Sequence, residues 1–376
     1  MNKKIIIIHN IIAPYKVALF NKLYKLIPDL EVVFIAEKEE QRDWIIDYSK
    51  INFPYTLLFK GSIENVSSLS IAKKTWRVLN NIRPDTSIIC DYSNIFGWIS
   101  LLWAKVNRNN LVFWFDSTYD DKKHYFLKEQ IKHFFLKHFH LYLAPGKKTK
   151  QYLEYMKVDS SKIITTGYCV DNDFFIEQFQ HNKKSKETLF NELGIKRKHN
   201  FIFIGRFAHE KNIFNLLNAF LEVSKINNAW GLLLLGDGPL KEDIVTFISE
   251  NKLGDKILLP GFIQQDELVK YLITSNVFVL PSLSEPWGLV VNEAMLCQLP
   301  VIVSKKCGCQ PELVQEGLNG FSFEPNDELT LTKIMQEFVN GSYNMKYMGE
   351  TSLSIVKRHS PSIIAQNIVS GIKDYI

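Results

Sequence analysis

Two glutamates bracket the most chemically suggestive stretch of this 376-residue chain, Ser284-Glu285-Pro286-Trp287-Gly288-Leu289-Val290-Val291-Asn292-Glu293. The apolar run Asn276–Leu280 before it reads as a strand, and the segment from Gly288-Leu289 onward reads as a helix that carries Glu293. A helix start offers unpaired N–H groups and a partial positive charge to a phosphate or sugar oxygen. Carboxylates on either side of it can accept hydrogen bonds from hydroxyls, one near each end of a nucleotide sugar. A second strand end, Phe201-Ile202-Phe203-Ile204-Gly205-Arg206, is followed by Lys211. Gly205 permits a tight turn there, and Arg206 with Lys211 offers a fork and a point charge, which together suit a diphosphate. On spacing alone, two ordinary surface cations are an equal reading. Gly236-Asp237-Gly238-Pro239 closes a third strand, where turn formation is the simpler explanation.

These groups need a scaffold that brings strand ends together. Short apolar runs alternate with helix-length segments throughout. In the first half the runs are Lys4–His9, Glu31–Ala36, Ser87–Asp91, Leu111–Phe115, His140–Ala144 and Lys162–Thr165. In the second half they are Asn200–Ile204, Gly231–Leu235, Lys256–Leu259, Asn276–Leu280, Pro300–Ser304 and Gly320–Phe323. Fully apolar strands alternating with helices predict parallel sheets covered on both faces. The length suits two domains. The expected fold is α/β, with two doubly wound Rossmann-like domains facing across a cleft: an N-terminal domain over 1–170, completed by a C-terminal helix at 356–376, and a second domain over 199–355. The polar stretch at 171–198 reads as a connector with a short helix. Ligands of such sheets bind outside the carboxyl ends of the strands.

Composition narrows the class. A hydrophobic fraction of 46% and a charged fraction of 23% are those of a globular chain. The apolar opening Ile5–Ile8 is too short to span a bilayer and lacks the cleavage site of a secretory signal, which points to a cytoplasmic protein. The five cysteines show no C-x-x-C spacing and read as reduced, unliganded thiols. Residues 1–170 hold 25 Lys and Arg against 16 Asp and Glu, so that half carries +9 and the remainder −4. The segment 122–150 contributes eight lysines and four histidines with one acidic residue, interleaved with Phe126, Phe134, Phe135, Phe139 and Tyr142. A basic aromatic helix can lie on an anionic membrane surface; equally, its Phe face can be core and its Lys face wet.

From about Phe201 to Pro325 the motifs resemble the family 4 retaining glycosyltransferases of the GT-B fold, the group 1 type. Glu285 to Glu293 matches their E-x7-E signature. Gly205-Arg206 with Lys211, Gly236–Pro239, Gly261-Phe262, Gly308 with Pro311-Glu312, and Asn319-Gly320 follow in the family's order. The resemblance implies that Arg206 and Lys211 hold the donor diphosphate and stabilise the leaving nucleotide. It also implies that Glu293 binds the ribose, that Glu285 lies beside the transferred sugar with the loop Gly308-Cys309-Gln310-Pro311 offering backbone N–H groups to it, and that the backbone at Phe262 and Ile263 faces the base. Over 1–170 the likeness is faint. Where many members have a Gly-Gly loop, this chain has Ile12-Ala13-Pro14-Tyr15-Lys16, as in bacterial polysaccharide-type members. Where many have a histidine near the donor sugar, it has Asp116, which could accept from a sugar hydroxyl, steady positive charge at the reacting carbon, or cap a helix.

The expected activity is transfer of a sugar, with retention, from a UDP- or GDP-sugar to a glycan or lipid-linked acceptor in surface polysaccharide or glycoconjugate biosynthesis. No metal and no further cofactor is expected, since no D-x-D stands in the matching place and Arg206 and Lys211 can take the ion's role. No nucleic-acid partner is expected. A GT-B nucleotide-sugar epimerase and an inactive donor-binding partner subunit share these features. A dehydrogenase does not, because His9 and Asn10 stand where G-x-G-x-x-G should follow the first strand.

Overall fold

Four consecutive isoleucines, Ile5 to Ile8, are wholly buried. A strand achieves this only when both faces of its sheet are covered, because alternate side chains point to opposite faces. A computed structural model of the chain, describing residues 3–41, 44–121, 125–183 and 186–375, has this arrangement in each of two units. The first comprises residues 1–171 with 359–376, and the second comprises residues 172–358.

In the first unit the strands are β1 (Ile5–His9), β2 (Leu30–Lys38), β3 (Tyr55–Ser62), β4 (Thr86–Ile89), β5 (Asn110–Trp114), β6 (Leu141–Ala144) and β7 (Ile163–Thr165). They pair in the order β3-β2-β1-β4-β5-β6-β7, each with its neighbour parallel. Ile5, Ile7, Val112 and Trp114 pack on one face with Val17 and Phe20 of the helix Pro14–Leu26 and with Ile364 and Ile368 of the helix Pro361–Ile372. Ile6, Ile8, Phe113 and Phe115 pack on the other, with Ile71, Phe96 and Phe135 from three further helices. Because Trp114 and Asp116 are two residues apart, the alternation along β5 sends both toward the Pro14–Leu26 side.

The second unit contains β8 (His199–Ile204), β9 (Trp230–Leu235), β10 (Ile257–Gly261), β11 (Val277–Leu280), β12 (Val301–Ser304) and β13 (Gly320–Phe323), all parallel, in the order β10-β9-β8-β11-β12-β13. The expected α/β class with two doubly wound sheets is therefore present. The order reverses between β1 and β4 in the first sheet and between β8 and β11 in the second, and such switch points are where ligands bind.

Two sequence expectations need correction. Strand β3 was not expected; it is a half-buried edge strand, so its pattern lacks the continuous apolar run of the central strands. The stretch at 171–198 is more than a connector. It holds the helices Asn172–Asn182 and Lys186–Glu192, and the first of these packs on the helices Gln265–Thr274 and Leu289–Leu296 of its own unit. Phe175 and Phe179 form its buried stripe, one turn apart, amid polar neighbours that mask it in the sequence.

Candidate functional site

At the switch point of the second sheet, the loops after β8 and β11 are joined backbone to backbone and side chain to side chain. The Leu283 N–H donates to the Glu210 carbonyl at 2.8 Å. Asn212, in the left-handed conformation at φ 54°, donates from Nδ2 to the carbonyls of Pro281 at 3.2 Å and Pro325 at 2.7 Å. Asn is among the few non-glycine residues that tolerate this backbone. These ties bring the Lys211 ammonium onto the Glu285 carboxylate, in a pair whose side chains are 18% and 15% exposed. The Lys211 side chain crosses Gly205, with its Cε 3.8 Å from where a β-carbon on Gly205 would lie. Arg206 stands exposed at the same strand end. Sequence reasoning singled out Gly205, Arg206, Lys211 and Glu285, but not Asn212, whose side chain stitches the loops.

Gly288 caps the helix Leu289–Leu296 at φ 94°, and a β-carbon there would lie 3.0 Å from Leu280 Cδ2 and 3.3 Å from Glu285 Cγ. Only glycine meets both demands. Glu293 lies on this helix, half-buried, and burial pushes its carboxyl up from 4.5 to about 8. The Trp287 indole N–H donates to buried Asn292 Oδ1 at 2.9 Å, which fixes the turn ahead of the helix. At the neighbouring end of β10, Phe262 is 46% exposed and Ile263 half-buried.

The loop after β12 departs from expectation. The Gly308 N–H donates to the Glu285 carbonyl at 2.8 Å and the Cys309 N–H to the Trp287 carbonyl at 3.0 Å. A β-carbon at Gly308 would lie 1.8 Å from the Pro286 carbonyl oxygen. These two N–H groups are thus spent on holding the Glu285 loop, and Gly308 and Cys309 shape the site from behind rather than offering donors to a sugar. Gly236 and Gly238 likewise serve close packing, because β-carbons there would meet the Gly205 carbonyl oxygen at 1.9 Å and the Phe207 carbonyl oxygen at 2.5 Å.

In the first unit, a cavity of about 190 Å³ lies at the switch point, lined by residues that include His9, Asn10, Glu39, Trp44, Asp91 and Asp116. Asp116 follows β5 and does not cap a helix. Its Oδ2 accepts from the Tyr168 hydroxyl at 2.9 Å and lies 3.6 Å from the ammonium of Lys16. Asp91 is taken up locally, accepting from Ser93 and Asn94. His9 is buried, and burial together with the Lys16 charge pulls its pKa down to about 3, so its ring is neutral. Lys16 and Tyr168 were not singled out as site residues from sequence. The one available signal was the position of Pro14-Tyr15-Lys16 directly after β1.

The basic aromatic helix, Phe126–Leu136, departs in part from the expected amphipathic cover: Phe135 and Leu136 are core and Lys128 is exposed as expected, but one lysine lies inside and several apolar side chains lie outside. Lys132 is buried with Phe135 and Leu136, held by Glu129 at 2.9 Å and by the Tyr152 hydroxyl. Phe126 is 80% exposed and Leu127 72%, and Ile131 and Phe134 are about half exposed, with Leu102 and Val106 of the helix Ile95–Val106 exposed as well. Residues 122–124 of the basic segment lie outside the described residues. No helix among the described residues is long and apolar enough to cross a membrane.

Residues 185–353 match the family model described as glycosyl transferases group 1. Over 227 residues the chain is 30% identical to an uncharacterized glycosyltransferase of Methanocaldococcus jannaschii, covering 58% of this chain and 61% of that protein. It is 26% identical over 299 residues to the alpha-monoglucosyldiacylglycerol synthase of Acholeplasma laidlawii, covering 75% of this chain and 74% of the synthase. The crystal structure of Anabaena HepE in complex with UDP is similar with a TM-score of 0.78 at 16% identity, covering 99% of this chain and 100% of that one. The segment that holds the Lys211–Glu285 pair and the Gly288 helix start thus lies within the match to the group 1 glycosyl transferase model, and the fold is that of GT-B glycosyltransferases.

Proposed function

We propose that the chain transfers a sugar, with retention of configuration and without a divalent metal, from a UDP- or GDP-sugar to a glycan or lipid-linked acceptor. The observation that carries this reading is the Lys211–Glu285 pair beside Arg206 at the second switch point, inside the matched domain. Arg206 and Lys211 take the diphosphate and the charge that develops on the departing nucleotide, the work an ion would otherwise do. Glu293 takes the ribose, Glu285 the transferred sugar, and the backbone at Phe262 and Ile263 the base. Asp116 serves the reacting end from the first unit. Retention follows the resemblance to E-x7-E enzymes, and metal independence follows the two cations. The UDP complex of HepE supports a nucleotide donor, and the name of the Acholeplasma enzyme supports a lipid acceptor.

The exposed crest of Phe126, Leu127, Ile131 and Phe134 favours a site of action at an anionic membrane surface on the cytoplasmic side, where a lipid-linked acceptor is found. A thermal-shift screen of UDP-, GDP- and dTDP-sugars tests the donor reading. A ligand at 100 times its dissociation constant stabilises by about 2.7 kcal/mol. No shift with any of them would remove the transferase proposal.

A further inference from the structure

The first unit buries a cation that its surroundings serve poorly. Lys16 is 1% exposed, and its ammonium has no hydrogen-bond acceptor among the described residues. It also lies in the first turn of the helix Pro14–Leu26, where the helix dipole disfavours positive charge. A charge buried without acceptors is among the costliest arrangements in a protein. The faces of Trp114 at 4.0 Å, Tyr168 at 4.6 Å and Tyr15 at 5.8 Å offset part of that cost. An apolar side chain of the same length would fill this aromatic slot more cheaply, so packing alone does not account for lysine.

The groups facing the ammonium show what it serves. His9 is neutral, its pKa held near 3, and burial pushes the Cys169 thiol up to about 12 and the Cys90 thiol further still. Among the described residues Asp116 is its ion-pair partner, with Oδ2 at 3.6 Å. The same oxygen accepts from the Tyr168 hydroxyl, while Oδ1 is buried without a partner among the described residues. The side chain nevertheless remains 39% exposed, on the wall of the switch-point cavity.

We propose that Lys16 is a positioning residue for Asp116: caged by Trp114 and Tyr168, it supplies the countercharge and, with the Tyr168 hydroxyl, fixes the carboxylate at the cavity wall to accept a hydrogen bond from a hydroxyl of the bound sugar. This rests on the transferase reading and on the place of Asp116 within it. Lys16 itself touches no substrate, so its influence passes through the carboxylate. The two residues therefore act as one unit, and removing the second after the first costs nothing further in rate.

The test uses the full chain with UDP-glucose and GDP-mannose as donors, and alkyl glycosides and water as acceptors. Failure of both donors to bind in calorimetry, or to release nucleotide, counts against the transferase reading itself and takes this inference with it. With a donor that is turned over, Lys16→Met should lower kcat about tenfold or more by misplacing the carboxylate. The KM for donor should stay within about twofold, since no ground-state contact is lost. The double variant Lys16→Met/Asp116→Asn should be no slower than Asp116→Asn alone, whereas a merely structural lysine would add its own loss. Wild-type kcat in Lys16→Met, or additive losses in the double variant, would overturn the proposal. Should Lys16→Met fail to fold, the double variant, which leaves no lone charge, decides. A folded double variant with the rate of Asp116→Asn supports the proposal, and one that does not fold assigns Lys16 to the core and ends it.

Discussion

The ammonium of Lys211 and the carboxylate of Glu285 hold each other across the two loops that close the second switch point. Each is therefore neutralised before any donor arrives. Under the proposed function, an incoming diphosphate would offer Lys211 a stronger partner and would free Glu285 for the hydroxyls of the sugar. On that reading the pair would act as a latch released by the phosphate charge.

Binding of the bare nucleotide should expose this competition. Glu285→Gln removes the rival carboxylate, so UDP should bind more tightly to the variant than to the wild type, while turnover of the sugar donor falls. Isothermal titration calorimetry reads the first effect and nucleotide release the second. Weaker UDP binding in Glu285→Gln would contradict the latch.

Removing the cations should act on the rate. Arg206→Ala and Lys211→Ala are each expected to lower kcat by about 100-fold or more, the loss typical of removing a group that meets developing charge. Far-UV circular dichroism should not change, because neither residue packs in a core. Near-normal kcat in either variant would sink the diphosphate assignment.

Turnover should survive excess EDTA. A complete loss that Mg²⁺ or Mn²⁺ restores would show that Arg206 and Lys211 do not carry the charge alone.

Glu293 ties stability to pH. Its carboxyl loses a proton near 4.5 in the unfolded chain but only at about 8 in the fold. The unfolded state therefore holds fewer protons between these values. Stability without ligand should fall as pH rises through that window, by at most about 1.4 kcal/mol per pH unit, and level off above it. Glu293→Gln should flatten the slope and melt higher at pH 8, yet bind UDP more weakly. Equal slopes in urea unfolding of the two proteins would refute the assignment.

The exposed crest predicts lipid binding that depends on both charge and apolar area. Co-sedimentation with acidic vesicles should weaken as salt rises, with each lysine near the surface contributing about 1 kcal/mol. Replacing Leu127 and Ile131 by serine should weaken it further, by about 1.5–3 kcal/mol for each side chain that inserts fully. Lys132 is buried, so its replacement should unfold the helix locally instead of tuning affinity. Equal sedimentation with neutral and acidic vesicles would leave the helix without this role.

What was legible in the sequence follows from the range of the interactions involved. Gly205-Arg206 and the Ser284–Gly288 turn were readable because a strand end, a turn and a helix start are all encoded within a few residues. The twelve apolar runs that proved to be strands were readable because strands covered on both faces are apolar throughout. Strand β3 was not, since an edge strand needs only one apolar face. Nor was the burial of Lys16, because nothing in Pro14-Tyr15-Lys16 shows that Trp114 and Tyr168 will close over it. The buried lysine of the helix Phe126–Leu136 was hidden for the same reason. Glu129 and Tyr152, one turn away and one helix away, make the inner face the place for a lysine.

The helix Pro361–Ile372 covers one face of the first sheet, packing on the helix Pro14–Leu26 with Ile364, Ala365, Ile368 and Ile372 buried. The chain therefore leaves its first unit at Asp171, completes the whole of the second, and only then returns. During synthesis the second unit has all its residues before the first does, and Ile5, Ile7 and Val112 lie under an unfinished lid until the helix Pro361–Ile372 emerges. The order of folding is thus expected to run against the order of synthesis, with the earliest-made strands the last to be secured.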